Sequence, residues 1–65
     1  MELYDMEDLY DRTSLIGDGP RVKGMWHRIR RDDFSNFYAF LMSEDGILDV
    51  ETIDLESVDA YLEIK

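Results

Sequence analysis

Two patterns of apolar residues predict the elements of this chain, and the first is a composition typical of strands, although neither segment alternates cleanly. Residues 10–16 and 22–29 are rich in β-branched, aromatic and other apolar residues, and they flank a Gly-Asp-Gly-Pro tetrapeptide at 17–20. This composition favours strands. Because glycine readily adopts positive φ and proline fixes φ near −65°, the tetrapeptide predicts a chain reversal. We therefore expect a β-hairpin in this half of the chain.

The second pattern of apolar residues has the spacing of a helix. Four apolar residues recur at i, i+3, i+4 and i+7: Phe34, Phe37, Tyr38 and Leu41. This spacing places them on one face of a helix. Asp32 or Asp33 precedes the series as a candidate N-cap, and Gly46 lies just beyond its end. The pattern predicts a helix over residues 34–43.

The two ends of the chain carry weaker patterns. At the amino end, three apolar residues fit one side of a short or loose helix: Leu3, Met6 and Tyr10. Residues 47–52 alternate apolar and polar, and residues 53–56 alternate in the opposite phase, which requires a bulge or a second element. We favour a final strand at 61–64, although a helical spacing is also present: Leu55, Val58 and Leu62.

These elements predict an α+β fold in the order strand-strand-helix-strand, with one main helix on a small antiparallel sheet. Sixty-five residues form one domain, 1–65. Such a short chain buries only about 60% of its unfolded surface on folding. It contains no cysteine, which excludes disulfides and thiolate metal sites. Self-association is the reinforcement left, so we expect a homodimer.

Charge is distributed in three blocks and sums to −9. Residues 1–19 and 32–65 are strongly acidic, whereas residues 20–31 carry five bases and no acid. The net charge repels phosphate backbones and anionic lipid, so we expect no direct nucleic-acid or membrane partner. An acidic surface instead favours a basic protein cleft, such as one that holds DNA or RNA.

The basic block from Arg21 to Arg31 has two interpretations. Its arginines balance carboxylates of neighbouring segments, which we favour, or they form a nucleic-acid strip in which Trp26 and His27 stack on bases. The chain lacks a Cys nucleophile, a Gly-rich phosphate loop and a nucleophile elbow. We therefore predict no catalytic residues, no metal site and no cofactor. No apolar run suits a membrane span or a secretory signal, so we expect a cytoplasmic protein.

The carboxylates themselves are candidates for function. Same-face residues of a strand lie about 6.7 Å apart, close to the axial rise of two nucleotides at about 3.4 Å each. Asp49 and Glu51, or Asp54 and Glu56, have this spacing if their segments form strands. They predict either negative charge spaced like phosphates or an ordinary solvated face.

An ordered set of short motifs in residues 9–42 resembles a known family. The set is Tyr10-Asp11-Arg12-Thr13-Ser14-Leu15-Ile16, an acidic glycine turn, Trp26-His27-Arg28, and Asp33-Phe34 followed by Tyr38. It resembles the small uracil-DNA glycosylase inhibitors of Bacillus phages with protein-primed replication. The resemblance implies a dimeric DNA mimic that occupies the DNA-binding cleft of the host uracil-DNA glycosylase, without catalysis.

The resemblance also implies a set of partner-binding residues. Phe34 and Tyr38 match positions that line an apolar pocket for the residue the enzyme pushes into DNA. Their neighbours on the same stripe are Phe37 and Leu41. Ser35 stands where the family has a glutamate, so Asp32 or Asp33 is expected to supply that charge. Asp49 and Glu51 lie outside the resemblance and are added to the predicted interface because of their spacing.

Two alternatives to this function stay open on the residues alone. The first is an acidic phage mimic that blocks another nucleic-acid enzyme, such as a nuclease, a CRISPR effector or an RNA polymerase. The second is a small regulatory domain that binds nucleic acid through Arg21 to Arg31.

Overall fold

A computed structural model describes residues 6–63 as one four-stranded antiparallel sheet with a helix at each end of the described chain. The elements are α1 (Met6–Arg12), β1 (Ser14–Asp18), β2 (Met25–Arg31), β3 (Phe37–Ser43), β4 (Gly46–Ile53) and α2 (Leu55–Leu62). The strands follow one another in the order β1-β2-β3-β4. The α+β class and the antiparallel sheet are as predicted, but the order strand-strand-helix-strand is wrong.

The two helices cover opposite faces of the sheet, and each face has its own small core. Phe40 and Trp26 pack with Met42 on the face that α1 covers, which we call the α1 face. Ile29 and Ala39 pack with helix α2 on the opposite face, the α2 face. Phe40 and Ile29 are fully buried. The sheet is therefore the middle layer of three.

The predicted helix over residues 34–43 is wrong, because most of this segment is the central strand β3. A strand that packs on both faces has a nearly continuous apolar run rather than an alternating one. The run from Phe37 to Met42 is of this kind, and its helical spacing is incidental. A helix also cannot begin at Phe34, since Ser35 has a positive φ of 67° within the preceding turn.

The hairpin of β1 and β2 is confirmed, but its first strand begins at Ser14, because residues 10–12 belong to α1, and its turn lies elsewhere than predicted. Gly17 and Asp18 belong to β1, and the chain reverses at Lys23 and Gly24, whose φ values are 57° and 80°. Two successive positive φ angles are typical of a tight type I′ hairpin turn. Val22 on one side of this turn exchanges both backbone hydrogen bonds with Met25, at 2.8 and 3.1 Å.

The alternation in β4 changes phase because the strand contributes to both cores. Val50 packs on the α1 face, whereas Ile53 packs against the α2 core. A register shift opposite Leu41 and Met42 leaves Leu48 as a bulge near the start of the strand. This bulge lies before the point where the alternation changes phase, and the second element, α2, follows the strand almost immediately.

The predicted carboxyl-terminal strand is wrong, because residues 55–62 form helix α2. Asp54 is its N-cap, and its carboxylate accepts a hydrogen bond from Ser57 N at 2.9 Å. Hydrogen bonds from the side chain of Ser57 and, to a smaller extent, from its backbone N–H lower the pKa of Asp54. Val58 is buried against the sheet, as the alternative helical spacing required. The short amino-terminal helix is confirmed as α1, while Leu3 and Ile64 lie outside the described residues.

No helix within residues 6–63 is long and apolar enough to cross a membrane.

Candidate partner-binding surfaces

Arginines of the basic block contact other residues of the protein, and Arg28 is the first example. Its guanidinium group forms a two-pronged ion pair with Asp18, with Nε–Oδ1 and Nη2–Oδ2 distances of 2.7 and 3.1 Å. Arg28 Nη1 also donates to the hydroxyl of Tyr10 at 2.7 Å. The hydrogen bonds from Arg28 lower the pKa of Asp18, and the pKa of Arg28 is raised in return.

Two further arginines of the block lie over aromatic rings. The guanidinium carbon of Arg21 lies 3.9 Å from the ring centroid of Trp26, and that of Arg30 lies 3.9 Å from the ring of Tyr10. Arg30 also donates to the hydroxyl and the carbonyl oxygen of Thr13. Trp26 is only 7% exposed, so it cannot act as a stacking platform. These contacts favour the internal interpretation of the basic block.

An acidic surface covers β4 and the outer side of α2. Its five exposed carboxylates are Asp49, Glu51, Glu56, Asp59 and Glu63. No Lys or Arg occurs between residues 32 and 64, and in the described part of the chain none of these five carboxylates forms a salt bridge. Within residues 6–63, no salt bridge therefore offsets the negative charge of this surface.

The strand portion of this surface has the predicted geometry. Asp49 and Glu51 pair with Leu41 and Ala39 of β3, which puts both carboxylates on the α2 face. Glu51 accepts a hydrogen bond from the hydroxyl of Tyr61 at 2.8 Å, and this contact raises the pKa of Tyr61. This hydrogen bond links β4 to α2.

Asp32 organises the turn between β2 and β3. Its Oδ1 accepts from the backbone N–H groups of Phe34 and Asn36, both at 2.9 Å. Its Oδ2 accepts from the hydroxyl of Tyr38 at 3.0 Å and from Asn36 Nδ2 at 3.2 Å. Desolvation raises the pKa of Asp32, but these hydrogen bonds together bring it below the ordinary value. The predicted N-cap thus caps a turn instead of a helix.

A recess of about 560 Å³ lies between this turn and helix α1. Its lining residues are Leu9, Arg12, Asp32, Asp33, Phe34 and Tyr38. Four of them were singled out from the sequence, so the predicted site residues do meet, although a turn and a strand bring them together. Leu9 and Arg12 were missed, because nothing in the sequence indicates that α1 returns to this turn.

The other predicted site residues lie apart from the recess. Phe37 packs against the α2 core, and Leu41 is half-buried on the α2 face. Ser35 is exposed in the turn. Asp49 and Glu51 belong to the acidic surface. The described structure therefore offers two separate features, an acidic surface and a recess at the β2–β3 end.

No protein-family model, curated protein or solved structure matches this chain in the three comparisons. Within residues 6–63 no group of three or more His, Asp or Glu side chains is placed to hold a metal ion.

Proposed function

We propose that this protein is an acidic, non-enzymatic inhibitor that mimics DNA and blocks the DNA-binding cleft of a host uracil-DNA glycosylase. The observation that carries the proposal is the contrast between its two kinds of charge. Three arginines of the basic block are held by internal partners, whereas the five carboxylates of the acidic surface form no salt bridge with any other residue of the range 6–63. Such a surface complements a cleft built for phosphates.

In the proposed mechanism, the acidic surface and the recess act at different steps of binding. Long-range attraction between the acidic surface and the basic cleft accelerates the encounter and orients it. The recess at the β2–β3 turn then takes a side chain from the enzyme, which slows dissociation. The choice of uracil-DNA glycosylase as target rests on the resemblance in residues 9–42. The helix that this resemblance implies is absent, but Phe34 and Tyr38 still border one recess.

A homodimer belongs to the same proposal. The two outer strands of the sheet differ, because β4 carries Asp49 and Glu51 while β1 exposes apolar side chains. Leu15 and Ile16 are 56% and 43% exposed. Like charges would repel two copies that met through β4, so the β1 edge is the more favourable contact.

The acidic surface also suits an inhibitor of a different enzyme that binds nucleic acid, and one experiment separates the two. Release of uracil from a uracil-containing duplex is measured with stoichiometric protein, alongside a nuclease and an RNA polymerase assay. We expect inhibition of the glycosylase alone. Full glycosylase activity in the presence of excess protein would refute the target, and inhibition of another of these enzymes would identify the second candidate.

A direct mobility shift with DNA tests the remaining alternative, binding through Arg21 to Arg31. We expect no shift, because three arginines of this segment are already in internal contacts. A shift that disappears on substitution of exposed Arg31 would overturn the proposed mimicry.

A further inference from the structure

We infer that the recess at the β2–β3 turn binds a basic side chain, an arginine or a lysine, of the partner protein. The enzyme named as partner rests on the proposed function, whereas the chemistry of the occupant rests on the lining of the recess. A cationic occupant differs from the apolar side chain that the family resemblance implies.

The charges around the recess favour a cation. Two carboxylates line it, Asp32 and Asp33, against one guanidinium group, that of Arg12. Arg12 already has a partner, since its Nε lies 3.3 Å from Oδ2 of Asp8. Asp33 is exposed, and its side chain forms no hydrogen bond or ion pair with any residue of the described chain. The described residues therefore leave one negative charge of the recess unpaired.

An apolar occupant would fit this lining poorly. A leucine or phenylalanine side chain would remove water from Asp33 without replacing its hydrogen bonds, and such desolvation of a carboxylate is costly. An arginine or lysine would supply both the charge and the donors, while its methylene stem would cover the apolar part of the recess.

The aromatic rings favour the same occupant. Phe34 follows Asp33 in the turn and is 84% exposed, and Tyr38 also lines the recess. A cation over an exposed ring is attracted by the negative face of the ring, and the attraction is stronger when water is excluded. The protein uses this pairing internally, where two arginines lie 3.9 Å from aromatic ring centroids. A carboxylate and a ring in one recess attract a cation together.

The turn holds this arrangement ready before a partner binds. Asp32 accepts four hydrogen bonds from the turn and from Tyr38. They hold Ser35 at a φ of 67°, which non-glycine residues rarely adopt. A preformed turn costs little entropy on binding, so the exposed ring and carboxylate contribute more of their interaction to affinity.

The test compares two isosteric or bulk-conserving variants with a matched control. Asp33→Asn removes the charge, and Phe34→Leu removes the ring while keeping apolar bulk. Asp45→Asn removes one equally exposed charge in the β3–β4 turn, at the other end of the sheet. With the glycosylase we expect Asp33→Asn and Phe34→Leu each to dissociate about three to ten times faster, and Asp45→Asn to change less than about twofold. Circular dichroism confirms the fold of each variant.

An unchanged dissociation rate for Phe34→Leu together with Asp33→Asn would overturn the cationic occupant and favour an apolar one. Equal effects of Asp33→Asn and Asp45→Asn would also overturn it, because net charge alone would then explain the change. If the parent does not bind the glycosylase at all, the proposed target fails, and the second measurement decides about the recess.

The second measurement needs no enzyme. A hexa-arginine peptide is titrated into the isotope-labelled protein, and amide shifts are followed by NMR. We expect shifts at Asp33 and Phe34 in addition to those on the acidic surface, and their loss in Asp33→Asn but not in Asp45→Asn. Shifts confined to the acidic surface would refute the recess as a cation site.

Discussion

Neutralising the helix portion of the acidic surface tests the proposed mimicry most directly. The triple variant Glu56→Gln, Asp59→Asn and Glu63→Gln changes the net charge of the chain from −9 to −6. All three side chains are exposed and form no hydrogen bond or salt bridge with the described residues. We therefore expect the fold to persist and the association rate with a basic cleft to fall.

The size of the effect follows from screened Coulomb attraction. Two unit charges about 8 Å apart in water attract by about 0.5 kcal/mol, and the Debye length at physiological salt reduces this to about 0.2 kcal/mol. Loss of three such charges slows association about threefold at physiological salt. At roughly 10 mM salt, where screening is weak, the same loss slows it about eightfold.

Stopped-flow association with the glycosylase at the two salt concentrations measures these rates. A matched control removes three exposed charges elsewhere, by Asp11→Asn, Glu44→Gln and Asp45→Asn. The helix variant should associate more slowly than this control, since its charges lie on the proposed contact surface. Equal rates for the two variants would show that only net charge matters, and rates equal to the parent at low salt would refute steering altogether.

The remaining predictions concern stability and assembly. Asp54→Ala removes the N-cap of α2 and should lower the midpoint of thermal unfolding by roughly 4 to 8 °C, whereas Asp54→Ser should lower this midpoint much less. The pKa values of Asp18, Asp32 and Asp54 are lowered in the fold. These carboxylates therefore stabilise the fold fully at any pH above the ordinary pKa of a carboxyl group. Urea midpoints should therefore fall as the pH drops below about 4. Light scattering should give about twice the chain mass of 7.7 kDa, and a monomer at micromolar concentration would contradict the dimer.

The sequence supports predictions of α1 and the β1–β2 hairpin because their patterns have local causes. Short-range spacing places Met6 and Tyr10 on one side of α1. The hairpin follows from β-rich segments that flank turn residues. Its exact turn was misplaced because Gly17-Asp18 looks like the stronger signal, while the type I′ turn needs the less conspicuous Lys23-Gly24.

The error at β3 has a tertiary cause. Phe37 and Ala39 face α2, whereas Tyr38 and Phe40 face α1, so both faces of the strand need apolar residues. Without knowledge of the second helix, a continuous apolar run with residues at i, i+3 and i+4 fits a helix as well as a strand. The recess could be anticipated only in part, since Leu9 and Arg12 reach it through packing of α1 on the sheet.

Because Tyr38 lies on a strand and not on the predicted helix, it must be tested differently. If Tyr38 lay on an exposed helix face, truncating its ring would change the recess without affecting the core. On β3 its ring instead packs into the α1-face core, with its centroid 6.4 Å from that of Phe40. Tyr38→Ala would therefore weaken binding by on the order of 30-fold or more, as truncation of an interface aromatic commonly does, but it would also destabilise the fold.

Tyr38→Phe separates these two effects. It keeps the packed ring and removes only the hydroxyl that donates to Asp32 Oδ2 at 3.0 Å. Because Asp32 keeps three other donors, the turn should persist, and binding should fall only about two- to fivefold as the turn loosens. Binding kinetics and urea unfolding of the same samples measure both quantities. If Tyr38→Phe binds as weakly as a well-folded Tyr38→Ala, the hydroxyl itself contacts the partner and the ring has no share in the recess.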